Sequence, residues 1–516
     1  MRIFSRLLLA LCCLMAMFHS APANENRQIV TALIDGTVST FDPYDANDTL
    51  SQSVAKSVYE GLFRLDENHN IQPVLALDWE VSEDGLTYTI NLRRNVFFHD
   101  GTRFTAKSVR ASFERAADEK KQLKRLPLFE NIRLVEVVHN YRVRIHLRAA
   151  YSSFIYHLAH PASVIISAQA LKTYGEDIAR HPCGTGPFLL KEWTPGSTEI
   201  VVTKNPSYWR QNRPALDAIV WRSVPLGKDR TQLMLAGKGD FTNTLPPDAS
   251  SAMLDQSNDY RIVVADSIIE RYVAFNTKIK PFNDVRVRHA LNYAIDKDAV
   301  ILAAVHGFAQ PSAGLISPKI DFALHLGPWP YDLQKARDLL TQAGYPDGFD
   351  VEIWSTNRSA TSRRTLDELK RQLARVNVRV TTRMLTSAER RELLETHSNP
   401  NMQMCLAGWS SSTGEVAWGL LPVFTLQGLP PHGYNLSRYV NNNVDADIAQ
   451  ALATNQWLDK KALYASAQKK IWQDAPHLFL FNDKTLYAHH KKLTGFIVLP
   501  DGGLSFENAE FIGPKN

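Results

Sequence analysis

Ser39-Thr40-Phe41-Asp42-Pro43-Tyr44-Asp45-Ala46-Asn47-Asp48-Thr49-Leu50-Ser51-Gln52-Ser53-Val54-Ala55-Lys56-Ser57-Val58-Tyr59-Glu60-Gly61 follows a short apolar strand, Ile29 to Leu33, and runs into a helix-like segment. Between strand and helix it gathers Asp, Asn, Tyr, Ser and Thr, side chains that hydrogen-bond polar small molecules. Some of the same residues make turns whatever binds nearby, Asp-Pro and Asn-Asp above all. We read Asp42 and Pro43 as turn chemistry, and Tyr44 and Asp45 as ligand contacts.

Outward from this run, strand and helix patterns alternate with short loops, so the class is α/β or α+β. Leu86 to Leu92 alternates apolar and polar, the period of a half-buried strand. Thr105 stands where a helix cap is needed, ahead of Val109, Phe113 and Ala116 on one face. Asp332 caps a second helix whose buried stripe is Ala336, Leu339, Leu340 and Ala343, and Gly344 and Pro346 end it. Phe349 to Trp354 and Val378 to Met384 read as strands, with a helix carrying Leu366, Leu369, Leu373 and Val376 between them. These leucine stripes are core. No linker rich in Pro, Gly or Ser divides the 516 residues, which suits lobes joined by short crossing strands.

The N-terminus has the layout of a secretory leader. Arg2 and Arg6 are its positive end, Leu7 to Phe18 its apolar stretch, and Ala21-Pro22-Ala23 its cleavage site. The apolar stretch is shorter than the roughly 20 residues that span a bilayer. Residues 1–23 are therefore expected to be removed on export. The whole chain carries a formal charge of +5, two units of which lie in this leader. That is too mild and dispersed for nucleic-acid binding. Beyond the leader only Cys183 and Cys405 remain, either one disulfide or two separate buried thiols. No phosphate loop, nucleophile elbow or Cys-x-x-Cys is present. His157-x-x-His160 and His489-His490 are weak metal signals without a third ligand, so neither cofactor nor metal is expected.

Four further segments carry a resemblance: Phe98-His99-Asp100-Gly101-Thr102-x-Phe104-Thr105-Ala106-x-x-Val109, Gly184-Thr185-Gly186-Pro187-Phe188, Asn205-Pro206-x-Tyr208-Trp209, and Pro281-Phe282-Asn283-Asp284-Val285-Arg286-Val287-Arg288-x-Ala290-Leu291 through Asp296. In this order, over nearly the whole mature chain, they resemble the extracytoplasmic solute-binding proteins that serve peptide and nickel ABC importers. The run Asp42 to Gln52, with Leu123-Lys124-Arg125, Arg271-Tyr272 and Gly408-Trp409-Ser410, is most similar to the glutathione-binding branch of that family.

The resemblance implies a two-lobed α/β periplasmic-binding-protein fold with an extra inserted domain and a ligand cleft between lobes. It implies domain I from residues 24–72, 186–288 and 489–516, domain II from 73–185, and domain III from 289–488. It implies a monomer that makes and breaks no bonds, carries glutathione in the periplasm, and hands it to inner-membrane permease subunits. A dipeptide, oligopeptide or haem carrier is the alternative within the family, and a periplasmic peptide hydrolase the alternative outside it.

Glutathione carries two carboxylates, an ammonium and a thiol. Carboxylates call for Arg forks, backbone N–H groups or hydroxyls, and the ammonium for carboxylate or carbonyl oxygens. The candidate Arg residues are Arg125, Arg271 and Arg358, with Arg230 in a polar loop as a fourth. Arg358 lies where dipeptide-binding relatives place the Arg that grips a ligand carboxylate. The second focus is Trp409, Ser410, Ser411, Ser412, Thr413 and Glu415. Peptide-binding relatives carry an amine-pairing Asp where Ser412 stands, so Asp45 or Glu415 is expected to meet the ammonium. Trp409 is expected to stack on the ligand backbone.

Overall fold

A computed structural model describes residues 28–246, 249–396, 401–431 and 433–513. The expected leader lies outside the described residues. The molecule is built on one sheet of eleven strands, in which two long strands, Tyr260–Phe275 and His477–His490, run antiparallel and join two halves. On one side the sheet continues through Phe241–Thr242, Ile29–Ile34, Ala218–Ser223, Glu199–Lys204 and Phe188–Glu192. On the other it continues through Met404–Ser410, Phe349–Ser355 and Val378–Met384. Ala309–Pro311 adds a short strand to His477–His490. A separate antiparallel sheet, Ala76–Val81, Thr87–Leu92, Arg142–Leu147 and Ile132–His139, packs into the first half. The architecture is a two-lobed α/β fold.

The two-residue period of the joining strand feeds two cores. Val273 and Phe275 pack beneath one face of the second lobe with Ile353 and Leu369, while Tyr272 and Ala274 pack on the other with Ile448 and Ile471. The first lobe and the four-stranded sheet share a third core that contains Val30, Tyr44, Phe113, Phe129 and Trp221. Helix ends follow local chemistry. Asp332 accepts a hydrogen bond from the Lys335 amide ahead of the helix Leu333–Gln342, and Gly344 takes the positive φ of 88° that lets the chain leave it. Thr105 occupies the cap position of Ala106–Ala116, but its side chain makes no capping bond. Arg230, read as part of a loop, lies in the helix Gly227–Leu235, where its guanidinium is taken up by the carbonyls of Val224, Pro225 and Thr244.

The pairing of the two long strands slips between Asp266 and Glu270. At that bulge the Pro500 carbonyl accepts from the Ile268 amide and from Ser267 Oγ at 3.1 and 3.0 Å. The C-terminal segment thus fastens the crossing point, and it is anchored to the first lobe by Leu504 N–H to Ser53 and Phe511 N–H to Gln28. Cys183 and Cys405 are both free and buried.

Candidate ligand cleft between the lobes

The lobes meet beside the crossing strands. The Ser152 amide donates to the Leu452 carbonyl at 2.9 Å, and His160 Nε2 lies 3.3 Å from Ser412 Oγ. Between these contacts and the hinge lies a cavity of about 340 Å³. The first lobe supplies Asn47, Thr49, Gln52 and Arg125, the crossing strand Ile269, Arg271 and Tyr272, and the second lobe Thr356, Trp409, Ser410, Ser412, Trp418 and Tyr434. Past Arg271 and Thr49 the space continues into a wider hollow of about 670 Å³.

The opening run contributes to this wall, though through other residues than expected. Tyr44 is fully buried; its hydroxyl donates to the Val164 carbonyl at 2.7 Å and its ring sits edge-on against Phe129. Asp45 pairs with Lys124 at 3.2 Å and does not line the cavity. Asp48 caps the helix Thr49–Ala55 by accepting from the Ser51 amide at 2.7 Å. That cap turns Asn47, Thr49 and Gln52 toward the cleft. The loop also acts as a mount, because the carbonyls of Tyr44 and Ala46 accept from the backbone N–H and Nε of Arg125, at 3.0 and 2.9 Å. The two terminal nitrogens of Arg125 hold no protein partner among the described residues. Burial pushes this guanidinium below its ordinary value, while Tyr434 and Asp48 pull the other way.

Arg271 is differently placed. Its Nε and Nη2 donate to Asp483 at 2.8 and 2.6 Å. Burial opposes its charge, but Asp483 outweighs burial and the guanidinium stays above its ordinary value. Gly408 on the neighbouring strand makes room for it, since a Cβ there would lie 2.7 Å from Arg271 Nη1. Next in the chain, Glu270 points into the hinge and accepts from Asn482 and Ser312. Burial pushes its carboxyl up to about 8.

In the second-lobe loop, Trp409, Ser410 and Ser412 line the cleft, whereas Ser411, Thr413 and Glu415 do not. Trp409 donates through Nε1 to the Trp418 carbonyl at 2.8 Å and lies 4.8 Å from the Tyr434 ring, so the three aromatics form one wall. Ser411 and Thr413 are buried in the loop itself. Glu415 caps the helix Val416–Phe424, accepting from the amides of Ala417 and Trp418 at 3.0 and 3.2 Å, and burial raises it to about 7. A capping carboxyl turned into its own helix is not placed to meet a ligand ammonium. Arg358 is exposed on its strand-end loop and lines neither the cleft nor the hollow. Sequence reading missed Tyr434, Arg390 and Asp501, which come from distant segments and have no local pattern to mark them. Among the described residues no cluster of His, Cys, Asp and Glu is suited to a metal ion, and no helix is long and apolar enough to cross a membrane.

Residues 70–429 match the bacterial extracellular solute-binding proteins, family 5. The chain belongs to this family. It is 42% identical over 492 residues to the glutathione-binding protein GsiB of Salmonella choleraesuis, an alignment covering 95% of each chain. Among solved structures it resembles the periplasmic binding protein DppA of Helicobacter pylori in complex with the peptide STSA, with a TM-score of 0.82 and 26% identity over 94% of this chain and 98% of that one. It also resembles the dipeptide-binding protein of Pseudoalteromonas sp. SM9913 in complex with Met-Leu, with a TM-score of 0.84 and 25% identity over 94% and 100%. Arg125 and Arg271 both line the cavity between the two lobes.

Proposed function

We propose that this solute-binding protein captures glutathione in the interlobe cleft and delivers it to the permease of an ABC importer. One observation carries the ligand assignment. The cleft presents Arg125 with two uncommitted guanidinium nitrogens, in a cavity whose charged lining, among the described residues, is Arg125, Arg390 and the Asp483-paired Arg271 against the carboxylate of Asp501. A cation-rich, half-buried cleft favours a net anion, and glutathione carries two carboxylates and one ammonium. The aromatic wall of Trp409, Trp418 and Tyr434 supplies ring faces for the peptide planes to pack against. The identity to a glutathione-binding relative supports the same ligand.

In this reading the protein works in the periplasm as a monomer, after loss of residues 1–23, and breaks no bonds. Residues 24–72, 186–288 and 489–516 form domain I, residues 73–185 the inserted domain, and residues 289–488 the second lobe. The amine-pairing Asp of peptide carriers is replaced by Ser412, a neutral hydroxyl 3.3 Å from His160. Burial holds His160 well below its ordinary value, so this pair offers no charge to a peptide amine. Calorimetry on the mature protein tests the reading. Heat is expected with reduced or oxidised glutathione and much less with Ala-Ala, a tripeptide of alanine or haem. Tight binding of Ala-Ala with no response to either glutathione form would refute it.

A further inference from the structure

A cavity of about 300 Å³ lies mostly in the first lobe, apart from the cleft but bordered by two of the same residues, Ser412 of the second lobe and Asp501. Its wall is largely apolar, with Phe63, Leu65, Val164 and Leu499 among its residues. Among the polar groups set into that wall, two stand without a partner. Lys56 Nζ and Tyr59 Oη are both buried, both line the cavity, and neither has a hydrogen-bond partner. The other charged groups nearby are committed. Glu507 pairs with Arg64 and Arg210 at 2.6 and 2.7 Å. Glu60 accepts from Thr185, Tyr208 and Trp209, each at 2.8 Å. Asp501 accepts from the Gly503 amide at 2.8 Å and favours the Lys56 charge from nearby, but makes no hydrogen bond to it. A buried ammonium with no hydrogen-bond acceptor is costly even beside a carboxylate, and folded proteins rarely keep one without a use.

We propose that this cavity is a second ligand subsite, reached from the cleft past Ser412, which takes a carboxylate-bearing arm attached to the sulfur of a bound glutathione. The Lys56 ammonium and the Tyr59 hydroxyl grip the carboxylate, and the apolar wall covers the stem of the arm. The subsite rests on the glutathione reading of the cleft. The arm has two sources of the same chemistry: the second tripeptide of oxidised glutathione, or a carboxylate-bearing thioether substituent. Burial pushes the Lys56 ammonium below its ordinary value, and a bound carboxylate would restore it.

The test is calorimetry of the mature wild type, Lys56→Met and Leu65→Phe with reduced glutathione, oxidised glutathione, a carboxyalkyl thioether of glutathione and S-hexylglutathione. Lys56→Met is expected to weaken the oxidised form or the carboxyalkyl thioether by about tenfold or more, the scale of one charge-assisted contact. Whichever of these two responds identifies the source of the arm. Reduced glutathione should bind Lys56→Met within about twofold of wild type, well below one such contact, and so report that the variant is folded. Leu65→Phe, which narrows the cavity and keeps the charge, should weaken every long-armed ligand and spare reduced glutathione. Equal effects of Lys56→Met on all ligands, or none on either carboxylate-bearing arm, would overturn the subsite while leaving the cleft assignment intact. A wild type that binds no form of glutathione would overturn both.

Discussion

The rim of the cleft at Arg125 and the hinge at Arg271 use the same side chain in opposite circumstances. Arg125 is fixed through its backbone N–H and Nε to a loop of the first lobe, which leaves its terminal nitrogens toward the cavity. Arg271 is fixed through Nε and Nη2 to Asp483, so most of its charge is already answered within the protein. A guanidinium mounted on carbonyls keeps its full charge for a ligand; one paired to a carboxylate holds the frame. Under the proposed function the difference separates recognition from architecture, and each half of it can be tested alone.

The largest effect is expected at the rim. Arg125→Ala should cost glutathione affinity about 100-fold, near 3 kcal/mol, the upper range for a hydrogen bond to a charged group. The unliganded melting temperature should move little, because only one side-chain hydrogen bond to the Ala46 carbonyl is lost. Titration calorimetry with a thermal melt of the same sample reads both. Full affinity in the variant would move recognition away from Arg125.

At the hinge the expected losses are in stability. Glu270 is raised by burial from 4.5 to about 8, with Asp483 adding to the shift. The folded protein therefore keeps a proton that the unfolded chain releases. The stabilisation is complete below about pH 4.5 and is lost as pH rises through about 8. Between pH 6 and 8 the wild type should lose about 2 kcal/mol relative to Glu270→Gln. Denaturant melts of both proteins at the two pH values check this, and parallel curves would mean that Glu270 titrates normally.

Arg271→Ala should destabilise the unliganded protein by about 2 kcal/mol, between the values for exposed and buried pairs, since both partners are half-buried. Pairing it with Asp483→Asn should recover part of that loss. A double-mutant cycle with no coupling would return Arg271 to the role of an uncommitted ligand group.

The regular elements were legible in the sequence because their patterns are local. The strand Val378–Met384 falls where alternation placed it, and Asp332 and Gly344 bound their helix as capping rules require. The family motifs gave the two-lobed arrangement. The cleft was legible only in part, because lining it depends on which way a loop side chain turns, and that is set by distant partners. Glu415 has the chemistry to meet an ammonium, yet it faces two amides of its own helix. Arg358 has the chemistry for a carboxylate, yet it stands exposed outside both cavities. Asp501 and Tyr434 reach the cleft from segments with no motif at all.

Tyr44 marks the finest division between mount and ligand site. Its sequence neighbours suggest a contact, but its hydroxyl answers the Val164 carbonyl across the first lobe, and its own carbonyl holds the Arg125 amide. Tyr44→Phe removes the first bond and leaves the second, because the backbone is unchanged. The expected outcome is a loss of about 1 kcal/mol in stability, the cost of leaving one buried acceptor without its donor. Glutathione affinity should stay within about twofold of wild type, less than any direct contact would cost. A tenfold loss of affinity at unchanged stability would mean that the hydroxyl reaches the ligand. The mount at Tyr44 and Ala46 would then be part of the site it holds.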